Sequence, residues 1–453
     1  MIGEMTLSDL AARTDGELIG PDVTFSKVST DSRSVMPGDL YLALIGKHFN
    51  GHDFIDAAAQ RGAIAAVVSD AAATSIPVLQ VSDTHKALGD LANVNRRRSD
   101  ATVIALTGSQ GKTTVKEMVG AILSNRAKTL ITSKNLNNTI GVPLTLLRLM
   151  DEQFAVIEMG ANGAGEIAFS VAITKPDIVL ITKASAAHIE GFGSLQGIVE
   201  AKGEIIDGLG DLGVAVLNAD DDNVEQWLRR AESKKTVLFS LLEKAESQYF
   251  ASEIDLSNVG EVAFKLHSPQ GSVSIQLNMM GQHNVANAVS AAALALEVGA
   301  NLEDVAKGLA SLSSIEGRLK LRRGINGCTL IDDTYNASPD SFFSAIDALM
   351  SFSGRRIVIA GDMKELGGES RESHISVGHF AKQAGVDEFW ATGDMSKLAV
   401  DAFGKCALHF ESQDELIERC RGLANQDVVF LVKGSRSAMM ENIINELLIS
   451  EVI

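Results

Sequence analysis

The sequence predicts an α/β protein of three domains: a small α/β unit, a central parallel sheet with an antiparallel flank, and a C-terminal Rossmann-like α/β unit. Two observations carry this reading. The chain has 453 residues, about three domains at roughly 150 residues apiece. Short apolar, β-branched runs alternate with helix-length segments along most of it, the mark of parallel sheets covered by helices on both faces. Breaks in that rhythm predict domains 1–98, 99–314 and 315–453.

In the first unit the apolar runs are 40–45, 63–68 and 78–81, with helical patterns at 53–60 and 84–95. Arg96, Arg97, Arg98, Ser99 and Asp100 then read as a solvated linker. The second unit opens with a strand at 102–107, a glycine turn at 108–111 and a helix at 113–125. Buried strands are predicted at 154–157, 178–182, 214–217 and 236–239. Val262, Phe264 and Leu266, then Val273, Ile275 and Leu277, alternate around Ser268-Pro269-Gln270-Gly271, which predicts a hairpin. An alanine-rich helix is predicted at 284–298, and the third unit holds strands at 329–331, 356–360, 388–391 and 427–432.

Composition narrows the function. Hydrophobic residues at 45% and charged residues at 22% are globular proportions. Lys plus Arg number 40 against 58 Asp plus Glu, and 40 − 58 = −18, so nucleic acid is not expected as a partner. Cys328, Cys406 and Cys420 are too few and too badly spaced for a disulfide framework or a cysteine zinc site. Glu4, Asp9, Asp15 and Glu17 interrupt the first twenty residues, and no run of about 18 apolar residues occurs. A soluble cytoplasmic protein without membrane insertion is expected.

The chemistry concentrates in Thr107-Gly108-Ser109-Gln110-Gly111-Lys112-Thr113-Thr114, between a strand and a helix where a phosphate loop belongs. Its amides and Lys112 suit phosphates, and the Thr113 hydroxyl suits Mg²⁺. Leu106 stands where the longer loop has its first glycine, which weakens a generic nucleotide-kinase reading. Glu158 closes the next long strand at the sheet edge where ligands gather, and could complete the metal site. Between them lies an amide-rich segment holding Asn135, Asn137, Asn138 and Thr139. His188 and Lys202 follow, then Gly281-Gln282-His283-Asn284-Val285-Ala286-Asn287, where Asn284 alone reads as a helix N-cap. Gly317-Arg318 and Asp332-Asp333-Thr334-Tyr335-Asn336 complete the set.

Taken in this order, these elements resemble the Mur ligase family of ATP-dependent amide-forming enzymes over nearly the whole chain. The segments 135–143, 332–341, 361–367 and 433–437 are similar to members that join D-alanyl-D-alanine to a UDP-N-acetylmuramoyl-tripeptide. Thr30-Asp31-Ser32-Arg33 and the segment 46–54 resemble that branch's uridine-binding segments. The resemblance implies that Ser32, Arg33 and Asn50 meet the uridine nucleotide, and that Asn135, Asn137, Asn138, Thr139, Tyr335 and Asn336 meet substrate. It implies ATP held by Gly108, Ser109, Gln110, Gly111, Lys112, Thr113, Thr114 and Asn287, with His283 and Asn284 toward the adenine, Asp333 toward the ribose and Arg318 on the γ-phosphate. Mg²⁺ is implied on Thr113 and Glu158, and a second Mg²⁺ on His188 and a carbamylated Lys202. Lys112, His188, Lys202 and Arg318 are the implied catalytic residues, working through an acyl phosphate in a monomer. Two rivals stay open: a ligase using another acceptor amine, and an ATP-driven switch that makes no bond.

Overall fold

The structure, a computed structural model, describes residues 1–46, 48–70, 74–185, 189–256 and 261–449. At its centre is a six-stranded parallel sheet in the spatial order Lys235–Phe239, Val214–Asn218, Ile178–Ile181, Thr102–Thr107, Phe154–Glu158, Thr129–Ile131. The chain runs outward to one side of Thr102–Thr107 and then returns to the other. The carboxyl end of that strand is therefore a topological switch point, where open α/β sheets bind ligands.

The helix Lys112–Ser124 follows directly. Its Val115, Met118, Val119 and Ile122 are fully buried, and it packs against the alanine-rich helix Gln282–Glu297 and against Leu302–Ser311. Small residues let these helices close up: a Cβ on Gly308 would stand 2.5 Å from the Ile122 Cα. The predicted hairpin is Val262–Ser268 and Gly271–Leu277, joined by a third antiparallel strand, Phe250–Asp255.

The last unit is a second open sheet in the order Lys320–Arg323, Thr329–Asp333, Val428–Lys433, Arg355–Gly361, Glu388–Thr392, Ala407–Phe410. Only its first strand is antiparallel. In the front unit Val28–Ser29, Leu40–Leu42, Ala65–Val68 and Val78–Gln80 run parallel, and Glu17–Ile19 pairs antiparallel with the last of them.

The linker reading of residues 96–100 is overturned. The helix Thr84–Arg97 runs through Arg96 and Arg97 and is capped by Arg98, and the side chains of Arg96 and Arg98 reach fixed acceptors. Arg96 donates through Nε to the Thr174 carbonyl at 3.0 Å and through Nη2 to that of Lys175 at 3.1 Å. Both carbonyls end the helix Glu166–Thr174, so a cation sits on the negative pole of its dipole. Arg98 donates to the carbonyls of Ile2 and Glu4. Asn95, fully buried between them, accepts from the Ile2 amide at 2.6 Å and donates to the Leu146 and Leu149 carbonyls at 2.8 and 2.9 Å. One apolar core runs unbroken from Leu7, Leu40 and Leu88 to Val103, Ile157 and Trp227. The front and central units therefore share a core, which the basic run concealed in the sequence.

Candidate functional site

The phosphate loop needs its glycines for space as well as for backbone freedom. Gly108 has φ +149° and a Cβ there would lie 1.9 Å from Thr182 Oγ1; Gly111 has φ +79° and a Cβ would lie 2.5 Å from Asn287 Oδ1. Thr182 and Asn287 thus press the loop from two sides. Ser109 N–H donates to the Lys183 carbonyl at 2.7 Å, and Ser109 Oγ to that of Ser185 at 3.0 Å. Lys112 folds back over the loop, Nζ donating to the Gly108 carbonyl at 2.6 Å. Desolvation lowers its pKa, against the opposing pull of Glu158, and Arg318 adds to the lowering.

Glu158 ends its strand almost wholly buried, beneath the loop. Its Oε1 accepts from the Thr113 hydroxyl at 3.2 Å and from Asn137 Nδ2 at 2.7 Å. Arg318, from the last unit, donates through Nη2 to Thr113 Oγ1 at 3.1 Å, 205 residues away in sequence. Its guanidinium lies 4.4 Å over the Tyr335 ring. Two further contacts cross between the same units: Gln110 Nε2 reaches Ser338 Oγ at 3.4 Å, and Lys183 meets Asp340 at 3.4 Å.

These contacts roof a cavity of about 310 Å³. From the central unit it is lined by Ser109 to Thr114, Asn137, Asn138, Glu158, Lys202, His283, Asn284 and Asn287; from the last unit by Arg318, Asp333, Tyr335, Asn336 and Lys433, among others. Lys202 is almost wholly buried, with its ammonium 5.4 Å from the Phe192 ring centre. Burial, with Lys112 adding, lowers its pKa to about 7 despite Glu166 and Glu204. Desolvation also lowers the pKa of His283, against the pull of Asp333. Asn284 is not the helix cap: Gly281 holds that position without a side-chain bond. Asn284 instead donates to the Met280 carbonyl at 2.8 Å and accepts from Asn287 at 3.0 Å, which orients both amides at the cavity wall. Asp333 receives Lys433 Nζ at 2.5 Å and the Leu319 amide at 3.2 Å. The loop with Lys112 and Arg318 on the cavity wall suits an anionic ligand, whereas Lys433 is taken up by Asp333.

The family model described as Mur ligase family, catalytic domain matches residues 24–96, that of the Mur ligase middle domain 106–295, and that of the Mur ligase glutamate ligase domain 317–436. The chain belongs to the Mur ligase family. It is similar to the UDP-N-acetylmuramoyl-tripeptide–D-alanyl-D-alanine ligase of Escherichia coli (strain K12), at 45% identity over 98% of each chain. A MurF crystal structure from Acinetobacter baumannii superposes with a TM-score of 0.93 at 37% identity, covering 98% of this chain and 99% of that one. The Thermotoga maritima MurF ligase in complex with ADP gives 0.83 at 27% identity, covering 93% and 96%.

Of the residues singled out from the Mur ligase resemblance, Ser109 to Thr114, Asn137, Asn138, Glu158, Lys202, His283, Asn284, Asn287, Arg318, Asp333, Tyr335 and Asn336 meet around one cavity, and Gly108 lies just behind its wall, its carbonyl accepting from Lys112. Asn135 and Thr139 do not line it. Asn138 faces it while capping the next turn, accepting from the Gly141 amide at 2.8 Å. His188 lies outside the described residues. Ser32, Arg33 and Asn50 belong to the front unit, apart from this cavity. There Arg33 pairs with Asp31 and draws its carboxyl down to about 2, and Asn50 caps the turn Gly51–Phe54. Sequence reasoning missed Lys116 and the pairing role of Lys433. Lys116 carried a signal, since it lies one helical turn past Lys112 and so on the same face of the helix.

Proposed function

We propose that this chain is an ATP-dependent ligase that joins D-alanyl-D-alanine to UDP-N-acetylmuramoyl-tripeptide, releasing ADP and phosphate, in the cytoplasmic supply of peptidoglycan precursors. The observation that carries the reading is the phosphate loop roofed by Arg318 inside one cavity. The names of the relatives supply the substrates. Domains 1–98, 99–314 and 315–453 then divide the work: the first for the uridine nucleotide through Ser32, Arg33 and Asn50, the second for ATP, the third for closure over both. A monomer suffices, because one chain carries the whole set.

Amide formation in water is uphill, so the tripeptide's terminal carboxylate first attacks the γ-phosphorus of ATP, and ADP leaves. The resulting acyl phosphate is attacked by the free amine of D-alanyl-D-alanine. The tetrahedral adduct expels phosphate and the amine loses its proton, leaving the amide. Lys112 and Arg318 hold the oxygens of the transferring phosphoryl group and offset the repulsion between two approaching anions. His283 and Asn284 face the adenine, Asn287 backs the phosphate loop at Gly111, Asp333 faces the ribose, and Asn137, Asn138, Tyr335 and Asn336 the reacting end of the peptide.

Among the described residues no three His, Cys, Asp or Glu side chains gather as a metal cluster. The donors present suit Mg²⁺ bound largely through phosphate and water: the Thr113 hydroxyl and, beside it, Oε1 of the Glu158 carboxylate. Bound there, Mg²⁺ would neutralise phosphate charge. Lys202 fits a carbamate, because its lowered pKa supplies the neutral amine that adds CO₂ and releases a proton; with His188 it would hold a second Mg²⁺.

No helix among the described residues is long and apolar enough to cross a membrane, which accords with a cytoplasmic reaction. The test is direct: purified protein with ATP, UDP-N-acetylmuramoyl-tripeptide and D-alanyl-D-alanine, read by product mass and phosphate release. Phosphate release that needs both peptide substrates, with the pentapeptide mass, is expected. Release without a new product would favour a switch.

A further inference from the structure

Lys116 is 1% exposed, a cation buried in the helix that carries the phosphate loop. Its Nζ donates to the Thr132 carbonyl at 2.9 Å, meets Glu117 Oε1 at 2.8 Å and stands 4.0 Å from Glu158 Oε2. Thr132 also holds the Glu158 backbone, its Oγ1 accepting from that amide at 3.0 Å. The two oxygens of Glu158 therefore face different worlds. Oε1 meets Thr113 and Asn137 at the cavity, and Oε2, without a hydrogen-bond donor among the described residues, points to the ammonium behind it. Burying a lysine is costly unless its charge is met, and Glu117 and Glu158 meet this one.

We propose that Lys116 is a positioning residue that holds the Glu158 carboxylate from behind, so that Oε1 is presented beside the Thr113 hydroxyl. This rests on the reading of Glu158 as a Mg²⁺ ligand. One helical turn then carries two ammonium groups with separate tasks, Lys112 toward phosphate and Lys116 toward the carboxylate. Because Glu117 offsets the charge of Lys116, removing the ammonium acts mainly through the set of the carboxylate rather than through a long-range field.

The test is equilibrium binding of ADP to the full-length protein across a Mg²⁺ series and in excess chelator, for wild type, Lys116→Met, Lys116→Gln, Glu158→Gln and Lys116→Met/Glu158→Gln. Folding is checked by circular dichroism. The Lys116 variants should raise the Mg²⁺ concentration at half-effect about tenfold and leave ADP affinity in chelator within about twofold. In the Glu158→Gln background, Lys116→Met should add nothing. An unchanged Mg²⁺ midpoint in the Lys116 variants beside a shifted Glu158→Gln overturns the proposal alone. An unchanged Glu158→Gln overturns the metal reading and the proposal with it. Equal shifts in both backgrounds, or failure of both Lys116 variants to fold, make Lys116 a structural residue and also overturn it.

Discussion

Arg318 Nη2 donates to Thr113 Oγ1 at 3.1 Å, so a residue of the last unit touches the hydroxyl that begins the phosphate-loop helix. Replacing Arg318 by Ala should lower turnover by about 100-fold or more, the usual cost of losing one donor to a developing anion. Melting temperature should move little, because the lost contacts, to Thr113 and to the Tyr335 ring, are both at the cavity. Lys at this position keeps the charge but not the planar fork, and should fall between. Phosphate-release kinetics beside a thermal melt check this; a stability loss matching the activity loss would mark a structural arginine.

Tyr335 holds the guanidinium from its other face at 4.4 Å. If stacking is its task, Tyr335→Phe should stay within about twofold of wild type in kcat/KM for ATP. Tyr335→Leu should lose about 5- to 20-fold, the scale of a cation–π contact. Equal losses in both variants would assign the task to the hydroxyl, and hence to substrate.

Lys202→Ala should be almost inactive, with part of the activity restored by acetate. The pH behaviour has a defined sign. The Lys202 pKa is lowered from 10.5 to about 7, so the neutral amine that accepts CO₂ prevails above about pH 7. Activity recovered on returning bicarbonate to CO₂-depleted enzyme should therefore be larger at pH 8 than at pH 6. Between about pH 7 and 10.5 the folded protein also binds fewer protons at this site than the unfolded chain. Lys202 thus makes stability rise with pH through that window, a gain lost as pH falls through about 7, and Lys202→Met should flatten the slope in urea titrations.

Lys433 and Asp333 form a buried pair at 2.5 Å. Lys433→Met leaves Asp333 without its partner and should cost about 3–5 kcal/mol of folding stability, as broken buried pairs do. The double variant Lys433→Met/Asp333→Asn should recover part of that loss in urea unfolding, while ATP affinity falls in both.

The strands legible in sequence were those with continuous apolar runs, such as Thr102–Thr107 and Ile178–Ile181, which are buried on both faces. Those missed lie at sheet edges or are short, among them Glu17–Ile19, Val28–Ser29, Thr129–Ile131, Phe250–Asp255, Lys320–Arg323 and Ala407–Phe410. Their patterns are broken by charge or brevity, and only pairing with a neighbour fixes them. The site was legible where a motif dictates backbone shape, as in the loop from Gly108 to Thr114. It was illegible where a group acts through a partner distant in sequence. Nothing near Lys433 announces Asp333, 100 residues away, and nothing near Lys116 announces the Thr132 carbonyl. Arg96 misled because charge looks solvated in a sequence even when it terminates a neighbouring helix.

Asn95 and Arg96 tie the front unit to the centre through the backbone of Leu146, Leu149, Thr174 and Lys175, while Arg98 ties Ile2 and Glu4 within the front unit. The distance between the front unit and Lys112 is then set by this seam and by the shared core beneath it. On the proposed reading, in which the front unit holds the uridine nucleotide, that distance would set how many links a peptide needs for its free end to reach the phosphate loop.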